Sequence, residues 1–269
     1  MSKYRMKFTR NVQIRVILSI FRFKYFEIMK YFLIVFLLFF TAEIFPQSDS
    51  NEAEFERFNV SLNDKLLRVV SNEGDTLYSR EFNNPQFTTS DLDSDGVDEY
   101  IVTDYTNVNN KNNYTIFIYN TLDTFYCVDS IRSGYLEPYV VYSDEDECKV
   151  IVTGMCQFDD LNNGKEEIAL PINVWKYEEA ALSNINSEIY DLFESESDAI
   201  IDYLEDYFDS NIESCNSSQM ADNIIAAGYI NLISAGENSV ASQFLRKYYL
   251  CPDIDSFKQK IESLANVKK

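Results

Sequence analysis

The sequence predicts an α+β fold, with an antiparallel β-rich N-terminal half followed by a C-terminal helical segment. Short runs of β-branched and aromatic residues, separated by Asn, Asp and Gly, extend from about residue 55 to residue 178, and such runs are typical of strands. From about residue 179 the apolar residues recur at helical spacing instead. Because 46% of the 269 residues are apolar and 15% are aromatic, the chain can bury a sizeable core.

Residues 1–47 are predicted to form an export signal, with Met29 as the expected initiator. The apolar run YFLIVFLLFF, residues 31–40, follows a basic region and precedes a polar stretch, which is the order found in signal peptides. A run of this length covers roughly half of what a membrane-spanning helix needs. Cleavage is expected near Gln47 or earlier, after Ala42. The alternative is that the first forty residues remain as an N-terminal membrane anchor.

The predicted strands follow one another at short intervals in the segment 48–178. KLLRVV and TLYSREF flank a turn at residues 72–75 and are predicted to form a hairpin. The polar stretch NVNNKNN, residues 107–113, is predicted to be an exposed loop. The other predicted strands are EYIVTDY, YTIFIYN, TFYCVDS, PYVVYS, KVIVTGM, EEIAL and INVWKY.

The segment 179–269 is predicted to be helical. Its first helix is amphipathic, since Ile185, Ile189, Phe193 and the apolar residues that follow to Phe208 fall on one face, and a break at residues 195–197 is left open. Capping and breaking signals predict three later helices. The second helix starts at a Ser217 or Ser218 cap and ends before Gly236, the third covers about residues 239–250, and the last follows Asp253 or Asp255.

Cysteine usage fits an exported chain. Of the five cysteines, Cys215 and Cys251 flank helical segments and would clip them together, while the other three lie among predicted strands. Buried thiols are the alternative use for all five. No CxxC occurs, so the sequence supports neither a thiol redox motif nor a structural zinc site.

The residue content argues against catalysis and against nucleic-acid binding. The chain has no histidine, GxSxG, P-loop or GxGxxG motif, which removes most hydrolase and nucleotide-binding templates. The acidic run at residues 144–147 is expected to be a solvated loop rather than a glycosidase pair. Beyond residue 47 the chain has 15 basic and 42 acidic residues, because eight of 23 basic and two of 44 acidic residues precede that point. Phosphate binding needs clustered cations, so nucleic acid is excluded as a partner.

The most specific motif is DLDSDGVDEYIV, residues 91–102, which is predicted to bind calcium. Oxygen-bearing side chains alternate along the loop, Gly96 permits a sharp turn, and an apolar strand follows. Crowded carboxylates repel one another, and a divalent cation converts that repulsion into coordination. The predicted ligands are the side chains of Asp91, Asp93, Asp95 and Glu99 and the backbone carbonyl of Val97.

This loop resembles the calcium loop of FG-GAP and VCBS-type repeats, whose blades build β-propellers. The resemblance covers about residues 62–178 and implies propeller-blade-like repeats and the same ligands. The segment FDDLNNGKEEIAL, residues 158–170, is interpreted as a degenerate second copy. It lacks one acidic ligand in either alignment, so a structural turn and a metal site from Asp159 to Glu167 both remain open. Two repeats do not close a ring, which leaves a two-blade fragment, an open sheet, or a sheet packed on the helices.

Together these features predict an exported, calcium-stabilised, non-catalytic binding or scaffolding protein of the cell envelope or secretome. Its partner would be a protein or a glycan, and it would meet a membrane only through an uncleaved N-terminal segment. One alternative is a secreted carbohydrate-active or carbohydrate-binding protein that uses surface tyrosines and carboxylates. Another is an envelope protein that is anchored in the membrane by its N-terminus.

Overall fold

A computed structural model describes most of the chain beyond the predicted signal, and it confirms the α+β class. Antiparallel sheets occupy residues 58–184, and a helical segment follows. No helix in the part of the chain that is described has the length and apolar character needed to cross a membrane. The predicted signal segment and the acidic run at 144–147 lie outside the described residues, which are 58–121, 124–143, 148–210 and 214–265.

The first sheet contains the predicted hairpin and one strand that the sequence did not predict. Its three strands are β1 (Phe58–Asn63), β2 (Leu66–Ser71) and β3 (Thr76–Glu81), paired in sequential order. The hydroxyl of Ser71 accepts hydrogen bonds from two backbone N–H groups of the β2–β3 turn. The turn also contains Gly74 at φ 95°, a conformation that glycine adopts without strain.

The second sheet is a four-stranded antiparallel meander. Its strands, again in sequential order, are β4 (Pro85–Ser90), β5 (Glu99–Val108), β6 (Lys111–Asn120) and β7 (Tyr126–Gly134). Strands β5, β6 and β7 confirm the predicted strands EYIVTDY, YTIFIYN and TFYCVDS, whereas β4 was not predicted.

The prediction of an exposed loop at residues 107–113 is wrong. Strands β5 and β6 continue through this stretch and pair up to Val108 and Lys111. Only Asn109 and Asn110 form the turn, both with positive φ. Two-residue hairpin turns require this conformation and Asn tolerates it, so the asparagine-rich composition marked a tight hairpin rather than a loop.

The third sheet is also a four-stranded antiparallel meander. It consists of β8 (Tyr139–Ser143), β9 (Cys148–Gly154), β10 (Ile172–Glu178) and β11 (Ala181–Asn184). The prediction of a strand at EEIAL, residues 166–170, is wrong. These residues are irregular and follow a 3₁₀ helix, Cys156–Asn162. The sheet also extends past residue 178, since Glu179 and Ala180 adopt positive φ and turn the chain into β11.

The described part of the helical segment contains five helices. Its first helix is continuous across residues 195–197, where the buried Ser197 hydroxyl donates to the Phe193 carbonyl 2.7 Å away. The predicted second helix is two helices, and the first of them is capped by Ser214 rather than by Ser217 or Ser218. The helices are α1 (Tyr190–Ser210), α2 (Cys215–Met220), α3 (Asp222–Ser234), α4 (Asn238–Tyr248) and α5 (Ile254–Ala265).

Of the two uses that the sequence left open for Cys215 and Cys251, the structure has the disulfide. It joins the first residue of α2 to the segment that follows α4, across a sequence separation of 36 residues. Nearby, the Ser218 hydroxyl donates to the Tyr248 carbonyl and accepts from the Leu250 N–H. The short α2 is therefore held to the end of α4 by both covalent and hydrogen bonds.

The three sheets and the helices pack as successive layers. Leu67 and Phe82 of the first sheet contact Val102, Phe117 and Tyr119 on one face of the second sheet. The other face of the second sheet packs against Ile151, Trp175 and Tyr177 of the third sheet. The remaining face of the third sheet is covered by the helical segment through Ile189 and Phe193. Sequence periodicity explains the layering, because alternate side chains of one strand face opposite ways.

The largely irregular connection between β9 and β10, residues 155–171, packs against the helices and contains a fully buried asparagine, Asn162. The Asn162 carboxamide donates to the carbonyls of Phe158 and Ala169. Its oxygen accepts from the Ala169 N–H and from the Asn223 side chain of α3, each at 2.9 Å. The backbone carbonyl of Asn162 accepts from Lys111 of β6 at 2.6 Å. One residue thus connects the second sheet, the irregular segment and a helix.

We predict that Asn162→Ala lowers the free energy of unfolding by about 2–4 kcal/mol, because it leaves buried donors and acceptors unpaired. Chemical denaturation measures this loss. The neighbouring Asn163→Ala is the matched control, since Asn163 is exposed and surface substitutions usually change stability by about 0.5 kcal/mol or less. Equal losses in the two variants would contradict the role assigned to Asn162.

Candidate metal centre

The acidic loop, residues 91–98, lies between β4 and β5 and is folded by its own aspartates. The Asp91 carboxylate accepts from the Gly96 N–H at 3.1 Å, and the Asp95 carboxylate accepts from the Val97 N–H at 2.7 Å. Such side-chain turns are typical of Asp. Ser94 and Gly96 both have positive φ, which reverses the chain within a few residues. The loop geometry therefore follows from the residue types that the motif contains.

The acidic loop is anchored to the core by Leu92 and Glu99. Leu92 is fully buried between the second and third sheets. Glu99 is the first residue of β5 and is 1% exposed. Its Oε2 accepts from the Leu92 N–H at 2.9 Å, so the two ends of the loop are tied together. The role of Leu92 was not predicted from the sequence, although its apolar side chain between two aspartates was a usable signal.

Three of the predicted ligands converge. One carboxylate oxygen from each of Asp91, Asp93 and Glu99 lies within 4.8 Å of the other two, the only such acidic or cysteine group among the described residues. Calcium binds oxygen at about 2.3–2.6 Å, so two oxygens on opposite sides of one ion lie about 5 Å apart. The group therefore has the dimensions of a partial coordination sphere and could hold a metal ion.

Two buried oxygens in this group have no hydrogen-bond donor. They are Oδ1 of Asp91 and Oε1 of Glu99, while the second oxygen of each carboxylate accepts a backbone N–H. A buried acceptor without a partner costs roughly 1–3 kcal/mol, and more when it is charged. A bound cation supplies the missing partner for both oxygens at once. The donor set thus fits a cation on an observation that is independent of the sequence motif.

Electrostatics in the loop favour either a proton or a cation. Burial, aided by the charges of Asp93 and Asp95, raises the pKa of Glu99 to about 7, although the hydrogen bond from Leu92 opposes the shift. Burial also raises the pKa of Asp93, with further contributions from Asp95 and Asp91. Both shifts reflect negative charge held out of water, which a divalent ion would neutralise.

The other two predicted ligands are not part of this converging group. Asp95 is exposed, and its carboxylate accepts from the Val97 N–H. Coordination by Asp95 and by the Val97 carbonyl therefore stays a prediction. The oxygen donors suit hard cations such as calcium, magnesium and manganese, and the arrangement alone does not select among them.

The second acidic segment, from Asp159 to Glu167, is organised differently from the first. The Asp159 carboxylate accepts from the Asn113 side chain at 3.0 Å and from the Tyr135 N–H at 3.2 Å. Asn162, which the alignment matched to a ligand position, is used in the buried network described above. A 3₁₀ helix extends into this segment as far as Asn162, and irregular residues rather than a strand follow directly. The segment lies in the connection between β9 and β10.

No family model, curated protein or solved structure matches this chain. Its function is therefore argued from the geometry of its own residues.

The raised pKa of Glu99 predicts that the metal-free chain becomes more stable as the pH falls from 8 to 5. Above the folded-state pKa of about 7 the protein carries the buried charge. Between pH 7 and pH 4.5, Glu99 is protonated in the folded protein but ionised in the unfolded chain, where its pKa is the ordinary 4.5. This difference in proton binding favours the folded state as the pH falls. Thermal unfolding in chelator across this pH range measures the effect.

Glu99→Gln is the matched variant for this titration. It removes the ionisable group while keeping an acceptor for the Leu92 N–H, so we expect the Glu99 contribution to the pH profile to disappear. The variant should also melt higher than the parent at pH 8 in chelator, since it buries no charge. Superimposable pH profiles for parent and variant would contradict the shifted pKa.

Proposed function

We propose that this chain is an exported, calcium-stabilised, non-catalytic binding or scaffolding protein. The ion would be held by Asp91, Asp93 and Glu99, with Asp95 and the Val97 carbonyl completing the set. The observation that carries the proposal is the pair of buried carboxylate oxygens without donors, on Asp91 and Glu99. These oxygens belong to a short loop whose ligand spacing suits calcium.

Calcium is proposed over magnesium because of the ligand spacing in the sequence motif and the number of oxygens that the loop offers. Calcium accepts six to eight oxygens in a flexible arrangement, whereas magnesium needs a near-ideal octahedron and usually keeps several waters. A loop that offers up to four carboxylates and a carbonyl within nine residues suits the larger ion. Such loops in extracellular modules typically bind calcium with a dissociation constant of about 0.1–1 mM.

The proposed role of the ion is structural. The acidic loop leads directly into β5, which pairs with β4 on one side and β6 on the other. Fixing the loop therefore fixes the start of a central strand and the position of Leu92 in the core between two sheets. A chain without histidine and without a recognised catalytic motif gives no reason to assign chemistry to the bound ion.

The resemblance to FG-GAP and VCBS-type repeats is also proposed for this one loop. Two features of the fold support it: the second and third sheets are four-stranded antiparallel meanders, and they pack face to face. Propeller blades are sheets of this kind. The second acidic segment is left out of the proposal, because it leads into an irregular segment rather than a strand.

Export is proposed from the N-terminal segment and is consistent with the disulfide. A basic region followed by an apolar run is typical of a signal peptide. The Cys215–Cys251 bond fits an oxidising compartment, although one disulfide is weak support. We predict that the N-terminus of the exported protein lies after Ala42 or near Gln47. N-terminal sequencing tests this, and a start at Met1 or Met29 would favour the membrane-anchored alternative.

Calcium is predicted to raise the melting temperature of the chain. With a dissociation constant of about 0.1 mM, 1 mM calcium adds about 1.4 kcal/mol of stability. For a domain of about 200 residues this corresponds to roughly 3–5 °C. Thermal unfolding after chelator treatment, followed by a calcium titration, measures the shift, and magnesium at the same concentration should produce a smaller one.

Asp93→Ala and Asp98→Ala form a matched pair for this titration. Both remove a carboxylate from the same loop, but Asp93 belongs to the converging group and Asp98 is exposed outside it. We expect Asp93→Ala to abolish the calcium shift and Asp98→Ala to retain it. Equal melting of the parent with and without calcium would overturn the proposed metal role.

A further inference from the structure

A groove lies on the helical segment, outside the candidate metal centre. Its main cleft has a volume of about 590 Å³, within the range of roughly 300–1,000 Å³ that is typical of ligand sites. A smaller cleft of about 170 Å³ shares Glu167, Tyr203 and Ile224 with it. We call the two together the α1 groove, because residues of α1 from Glu196 to Tyr207 line its length.

Exposed apolar side chains line the α1 groove. Tyr203 is 40% exposed, Ile168 is 39% exposed and Met220 is 66% exposed. The ring of Tyr203 stacks on that of Tyr207 one helical turn away, with centroids 6.4 Å apart and an angle of 16° between planes. Exposed apolar groups gathered in one concave surface are typical of interaction sites. Methionine in particular adapts its shape to peptide partners.

The charge of the α1 groove is negative, because its one lysine is already neutralised. Lys165 forms an ion pair with Asp222 at 2.8 Å and donates to the carbonyls of Gln219 and Met220. The Lys165 ammonium is therefore paired with a carboxylate and held by two backbone carbonyls. The other charged residues that line the groove are Glu166, Glu167 and Glu196. An anionic ligand would be repelled.

We propose that the α1 groove binds an extended peptide segment in which basic residues alternate with aliphatic ones. The aliphatic side chains would cover Ile168, Tyr203 and Met220, and the basic ones would meet Glu166 and Glu167. Lysine and arginine also interact favourably with tyrosine rings. From Glu196 to Tyr207 the helix rises about 16 Å, which an extended chain of about five residues spans.

This site names a partner class for the binding role proposed above and so rests on that part of the proposed function. It does not depend on the acidic loop at residues 91–98. Loss of the calcium-induced melting shift would therefore leave peptide binding untouched. Loss of peptide binding would leave the calcium response untouched, so the two failures are distinguishable.

The test uses a fluorescein-labelled hexapeptide of alternating lysine and leucine, titrated with the purified chain in 0.15 M salt and monitored by fluorescence anisotropy. We expect saturable binding of this peptide and no binding of the peptide in which glutamate replaces lysine. Tyr203→Ala should weaken binding about fivefold or more, since it removes an aromatic contact. Tyr203→Phe keeps the ring and should bind like the parent.

A pair of double variants separates local recognition from the field of an acidic protein. Glu166→Gln with Glu167→Gln removes two charges from the α1 groove, and we expect affinity to fall about fivefold. Asp198→Asn with Asp202→Asn removes the same charge from exposed positions of α1 that the helical period places away from the groove. This second variant should bind like the parent.

Three outcomes would overturn the proposal. The first is an absence of saturable binding by the lysine–leucine peptide. The second is an equal loss of affinity in the two double variants, which would show that only the net charge of the protein attracts the peptide. The third is saturable binding of a neutral glucan hexasaccharide in place of the peptide, which would assign the α1 groove to carbohydrate.

Discussion

The arrangement of sheets and helices depends on satisfying the buried polar groups of residues 155–171. After its 3₁₀ helix ends at Asn162, residues 163–171 are irregular, so their N–H and C=O groups lack the regular partners that strands and helices provide. Asn162 supplies four side-chain hydrogen bonds to them and to Asn223. Lys111, which begins β6, donates to the carbonyls of Asn162 and Lys165. These contacts hold the third sheet against the helices, and the same segment supplies Glu166 and Glu167 to the α1 groove.

The acidic loop differs from this segment, because the described residues provide no hydrogen-bond donor for two of the buried carboxylate oxygens there. Every aspartate from Asp91 to Asp95 accepts a hydrogen bond from the loop backbone, yet Asp91 and Glu99 each keep one buried oxygen without a donor. At Asn162, by comparison, both the amide nitrogen and the oxygen of the side chain are hydrogen-bonded. Local departures from otherwise consistent design are expected where function lies. The loop therefore stands out by contrast with the segment at residues 155–171.

The sequence predicted those parts of the fold that depend on local pattern. Runs of β-branched and aromatic residues identified β5 and β6 as strands, and helical spacing identified the buried face of α1. The failures have physical causes. The stretch at residues 107–113 is a hairpin because Asn109 and Asn110 adopt positive φ, which composition alone does not reveal. EEIAL has the residues of a strand, but Asn162 takes up the backbone groups of Ala169.

The candidate metal centre and the α1 groove also differ in how far the local sequence pattern predicts them. The spacing of the acidic motif predicted the candidate metal centre, since all its proposed ligands come from nine consecutive residues. The α1 groove is formed by α1, α2, the start of α3 and residues 164–169, so no local pattern predicts it. The negative charge of the α1 groove is related to the contacts that the lysines of this chain make. Lys111 and Lys165 are used to hold backbone carbonyls, and Lys149 donates to Ser90. Because Lys165 is the lysine that lines the α1 groove and is held by internal contacts, carboxylates dominate the groove, which is the basis for the basic partner proposed above.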